Sequence, residues 1–123
     1  MNDNTPAYLV AFRERAERGR AEIEIAISDT VCDIVDDTIV PALMEDAEHP
    51  NLFAITQVYL DDAAKTIMES FGGLVSKWGA NERVFGRFQQ HINGECADDE
   101  ETKAALSGLR VDRNYDYFSV VKV

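Results

Sequence analysis

Apolar residues recur three, four or seven positions apart through most of this 123-residue chain. Over such lengths that period specifies helices packed on one face. Leu9, Phe12, Ala16, Ile23, Ile27, Val31, Ile34 and Thr38 keep it through the first third. Thr5-Pro6 reads as an N-cap followed by proline at the first helical position. Gly19 interrupts the run and either divides it into two helices or admits a close contact. Residues 22–27, Glu-Ile-Glu-Ile-Ala-Ile, also alternate as a strand does. Their continuation to Val35 keeps helical spacing, so helix is the reading adopted. Pro41 ends or kinks this helix because it has no backbone N–H to donate. A polar connection follows at residues 45–50, where Pro50 holds His49 away from helical backbone.

Asn51 is placed to cap the next helix, whose stripe runs Leu52, Ile55, Tyr59, Ala63, Ile67, Phe71, Leu74 and Trp78. Gly72-Gly73 weakens that helix internally, and Gly79 is expected to end it. Asn81 then starts a further helix with Val84, Phe85, Phe88 and Ile92 inward, stopping at Asn93-Gly94. Asp98 and Glu101 have the spacing of a capping pair before a short helix ending near Gly108. From Leu109 the pattern changes to alternation, with Tyr115, Tyr117, Ser119, Val121 and Val123 on one face, around a turn at residues 112–114. The expected fold is mainly α: a single domain over 1–123, a compact bundle of four or five helices with a short C-terminal β strand or hairpin.

Charge is distributed unevenly over this frame. Eleven carboxylates and no Lys or Arg lie between Arg20 and Lys65, and five more carboxylates lie within residues 95–101. The whole chain carries −11. On a helix over residues 22–39, Glu22, Asp29, Asp33, Asp36 and Asp37 fall within an arc of about 100°. Glu24 intrudes into the apolar side. Like charges a turn apart repel by a few tenths of a kcal/mol per pair. An arrangement that costs stability is a candidate for function, against the plainer reading of a solvated face. Glu45, Asp46 and Glu48 extend the row. Arg13, Arg15, Arg18 and Arg20 pair within their own helix or with the acidic segment of a second copy, and a homodimer is one form the protein can take.

Other chemistry finds little support. Cys32, His49, His91 and Cys96 are the only soft ligands, and their spacing matches no zinc arrangement with paired ligands. They are expected to be two buried thiols and two surface or turn histidines. The residues Asp46 to His49 lack the second carboxylate-x-x-His pair of a di-iron bundle. The serines stand in no nucleophile motif, and Phe71-Gly72-Gly73-Leu74 is no phosphate loop. Phe71, Trp78, Phe85 and Phe88 read as core. The expectation is therefore no catalytic residue, no metal and no cofactor.

With no membrane-length apolar stretch and no signal-like N-terminus, the chain reads as soluble and cytoplasmic. Its negative charge disfavours direct binding to nucleic acid or anionic membrane. The leading expectation is a non-enzymatic binding protein whose acidic face docks on a basic partner, a nucleic-acid-binding protein in particular. Its most concrete form is an inhibitor mimicking nucleic-acid charge, the strategy of anti-CRISPR and other phage anti-defence proteins. Two alternatives stand beside it. One is a homo-oligomeric assembly module using the aromatic C-terminus or the Gly72-Gly73 face. The other is a Mg²⁺-dependent all-helical phosphohydrolase using Asp36-Asp37 and Asp61-Asp62, with Lys65 the sole nearby base.

Overall fold

The computed structural model describes residues 7–113 and 118–123. Five α-helices are followed by a β-hairpin, as the sequence pattern requires. Helix α1 spans Ala7–Ile34, α2 Val40–Glu45, α3 Leu52–Phe71, α4 Lys77–Ile92 and α5 Glu100–Leu106. Strands β1 (Leu109–Arg113) and β2 (Phe118–Lys122) pair antiparallel, with Val111 opposite Val120. The expected Thr5-Pro6 cap and the strand positions Tyr115 and Tyr117 lie outside the described residues. No described helix is long and apolar enough to cross a membrane.

The core lies where α1, α3 and α4 meet under the hairpin. Ile27, Val31 and Val35 face Ile67, Val84 and Phe88, all at most 3 % exposed, and Leu106, Val111 and Val120 close the far side. Each large side chain buried this completely contributes about 1.5–3 kcal/mol. The hairpin is also tied to α3 by a polar contact: the Val120 N–H donates to Oε1 of Gln57 at 2.9 Å.

Helix α1 runs unbroken through Gly19, so that glycine neither divides a helix nor permits a close approach; nothing lies within 4 Å of where its Cβ would stand. Of the described α1 side chains, the first that is buried is Ile27. Over the 20 residues before it, about 30 Å of helix, no described side chain is buried. Ile23, expected inside, is 36 % exposed, and Ile25 is 61 % exposed.

A π-helical turn, Val35–Ile39, separates α1 from α2. Pro41 sits in the first turn of α2, where its missing N–H is tolerated. In an uninterrupted α-helix the Pro41 ring would meet the Asp37 carbonyl. The wider i→i+5 turn just before it relieves that conflict. Helical winding thus continues through Pro41 to Glu45, and what marks the proline is the π turn ahead of it.

Three helix boundaries differ from expectation. Helix α3 ends at Gly72, whose φ of 57° suits glycine, rather than at Gly79. Ser76 caps α4, its Oγ accepting the Gly79 N–H at 3.0 Å, so Gly79 and Trp78 lie inside that helix and Asn81 does not start it. Trp78 is 40 % exposed, whereas Phe88 is fully buried. Asn51 occupies its predicted cap position without a side-chain cap bond; its own N–H donates instead to Nδ1 of His49 at 3.0 Å. The cap of α5 is Asp99, accepting the Thr102 N–H at 2.7 Å, one residue beyond the expected Asp98.

Candidate functional site

The acidic surface row and a buried polar cluster adjoin at the π turn. On α1, Glu22, Asp29 and Asp33 project within about 40° of one another, and all three are exposed. The π turn carries the next two acids. Asp37 is exposed, but Asp36 turns inward and leaves the row. Among the described residues, Glu22, Asp29, Asp33 and Asp37 form no ion pair. Of the extension, Glu45 and Glu48 are exposed and Asp46 is half-buried.

Two acids of this segment are neutralised internally, and one of them, Asp36, belongs to the expected contact row. Arg83 on α4 donates through Nη2 to both Glu24 oxygens at 3.0 Å. This explains the one acid that did not fit the outer face. One turn on, Arg87 donates to Asp36 through Nε at 2.9 Å and Nη2 at 2.6 Å. Another turn on, Nε2 of His91 meets Oδ1 of Asp36 at 2.6 Å, while its Nδ1 meets Oδ2 of Asp98 at 2.7 Å. Arg83, Arg87 and His91 stand four apart on α4, which places them on one face toward the acidic segment.

His91 was expected at the surface or in a turn; its residue is 4 % exposed. It bridges two carboxylates, and only a doubly protonated ring donates to both. The Arg87 guanidinium holds the Asp36 carboxyl below its ordinary value; burial opposes this and His91 adds to it. The pair in turn raises Arg87. Cys32 and Cys96, expected buried, are both of intermediate exposure. Burial pushes the Cys96 thiol up, against the lowering by Arg87, with Asp36, Asp98 and Glu95 adding to the rise. A raised thiol is a poor nucleophile, so the proximity of Cys96, His91 and Asp36 does not make an activated triad.

The other expected groupings are not assembled. Among the described residues, the acids of Asp36-Asp37 and Asp61-Asp62 do not come together at metal-ligand distances; the grouping that does is His91, Cys96 and Asp98. Asp61 accepts from Nε2 of Gln57 at 3.0 Å, and Lys65 approaches Glu69 at 4.0 Å rather than Asp61. A groove of about 790 Å³ is lined by Gln57, Asp61, Ala64, Lys65, Met68 and Lys77, and by none of the row's acids.

The sequence carried a signal for the cluster. The i, i+4, i+8 series Arg83, Arg87, His91 is a basic stripe on an amphipathic helix, matching the segment that has acids and no bases. No protein family, curated protein or solved structure matches this chain.

Proposed function

We propose that this protein is a non-enzymatic binding protein that docks through an acidic helical face on a basic groove of a nucleic-acid-binding partner. The observation that carries the reading is the exposed row Glu22, Asp29, Asp33 and Asp37, which has no described cationic partner; its last three acids stand on the stretch whose opposite side, Ile27, Val31 and Val35, is buried in the core. Arg83 and Arg87 are consumed by Glu24 and Asp36, so they do not quench the outer row.

From Asp29 to Asp37 the row offers one charge per roughly 6 Å of axis. A nucleic-acid strand carries one per about 3.4 Å. The row therefore matches the sign and line of a phosphate backbone more than its density. A protein of this kind works as an inhibitor by occupying the groove, the mode of anti-CRISPR and other phage anti-defence proteins. Glu45 and Glu48 lengthen the surface, and Asp36 has no part in it.

The test is competition: once a partner is captured, added wild-type protein should displace nucleic acid from it. The variant with Asp29, Asp33 and Asp37 all changed to Asn should do so at least about tenfold less well, since screened charge contacts dominate such encounters. Equal displacement by both proteins rejects the reading.

A second reading draws on a separate observation. Tyr8, Val10 and Ile25 are 72 %, 40 % and 61 % exposed on the part of α1 that precedes Ile27. Apolar groups left open on one helix favour self-association. Sedimentation at several concentrations decides it: a mass that stays monomeric excludes the assembly module.

A further inference from the structure

The connection between α4 and α5 returns over the end of α4 and brings Cys96 and Asp98 to His91. One ligand atom from each of the three lies within 4.8 Å of the others. We propose that His91, Cys96 and Asp98 form a zinc site, with Nδ1, Sγ and a carboxylate oxygen as ligands and a fourth position left open. This goes beyond the docking function and does not depend on it.

Three features of the cluster support the assignment. The donor set of imidazole, thiolate and carboxylate suits Zn²⁺ and disfavours Mg²⁺ or Ca²⁺, which take oxygen ligands. The geometry is close to what is needed. With bond lengths of about 2.0–2.3 Å at tetrahedral angles, two ligands of one zinc lie about 3.3–3.6 Å apart. A closure of roughly 1 Å at the longest separation brings them there, and the movable element is a short connection containing Gly94.

The third feature is the support behind the imidazole. Its far nitrogen, Nε2, faces Asp36, whose two oxygens are held by Arg87. A histidine that binds metal through one nitrogen and donates the other N–H to a fixed carboxylate is a recurring arrangement at zinc centres. Asp36 and Arg87 would here be positioning residues: they set the ring's tautomer and angle and do not touch the ion. Loading replaces the Nδ1 contact with Asp98 by a bond to the ion and releases the thiol proton of Cys96, and the Nε2 contact with Asp36 is kept. The ion would fasten the α4–α5 connection to the core.

Co²⁺ reports on this site because a bound thiolate gives it an intense charge-transfer absorption that oxygen and nitrogen ligands do not. The full-length protein, reduced and freed of metal, should bind one Co²⁺ with that absorption and lose it on addition of one equivalent of Zn²⁺. Cys96→Ser should abolish the absorption and Cys32→Ser should keep it. Asp36→Asn should weaken Zn²⁺ binding about 10–100-fold while the absorption persists at saturation. His91 itself is avoided, because its removal is expected to unfold the chain. Absence of the charge-transfer band in the folded wild-type protein overturns the proposal, as does a band that survives Cys96→Ser or is lost in Cys32→Ser.

Discussion

Arg87 holds Asp36 by two nitrogens, at 2.9 and 2.6 Å, across 51 positions of sequence. This grip separates two neighbouring acids by role: Asp36 ties the π turn to α4, and Asp37 stays outside. The π turn makes the separation possible, since its wider winding presents successive side chains differently from an α-helix. Removing Asp36 leaves Arg87 and His91 without their shared acceptor. Asp36→Asn should cost about 1–3 kcal/mol of stability, the range for a charged hydrogen bond that is only partly desolvated. Urea unfolding of the two proteins, with equal slopes, measures it.

The same pair sets an acid dependence in the metal-free protein. Asp36 is held below its ordinary value of 3.8 by Arg87 chiefly. Its ionised form therefore adds stability at all pH values above the unfolded carboxyl range. That contribution fades as pH falls through the lower folded value. The stability gap between wild type and Asp36→Asn should be constant from about pH 6 to 5 and shrink below about pH 4. A gap that widens on acidification would show that the sign is wrong.

Two glycines should respond oppositely to alanine. Gly19 lies within exposed α1 with open space around it, so Gly19→Ala should raise local helix stability by about 0.5–1 kcal/mol. Because this part of α1 carries no core, amide hydrogen exchange over residues 14–24 reads the change better than a melt does. Gly72 sits at φ 57° as α3 ends. A side chain there is strained, and Gly72→Ala should cost about 1–2 kcal/mol, seen as a lower melting temperature.

Phe88 is fully buried in the packing between α4 and the other helices. Phe88→Ala should cost about 3–5 kcal/mol. Trp78, ten residues earlier on the same helix and 40 % exposed, should tolerate Ala with a much smaller loss. Paired chemical denaturation checks the contrast between two aromatics that look alike in sequence.

The helices and hairpin were legible because their signals are local. Ile27, Val31 and Ile34 on one side, and Leu109 to Val123 in alternation, carry the period of their element. Features that depend on distant partners left no local signal at the acids themselves, although the stripe Arg83, Arg87, His91 on α4 pointed to one. Nothing near Asp36 says that it will turn inward, because Arg87 and His91 stand 51 and 55 positions away. Asp98 looked like the cap of α5 since its spacing to Glu101 fits; with His91 taking Asp98, Asp99 caps instead. Gly79 resembled a stop, but Ser76 offers its N–H a cap bond and α4 continues through it. Ile23 had the spacing of a core position yet is exposed, because period alone does not state whether another element arrives to cover it.

The most direct test concerns the outer row. Affinity for the captured basic partner is measured against salt for wild type and for Asp29→Asn/Asp33→Asn/Asp37→Asn. The wild type should bind more weakly as salt rises, and the triple variant should bind at least about tenfold less tightly with a flatter salt dependence. Identical affinity and identical salt dependence in the two proteins would contradict the account.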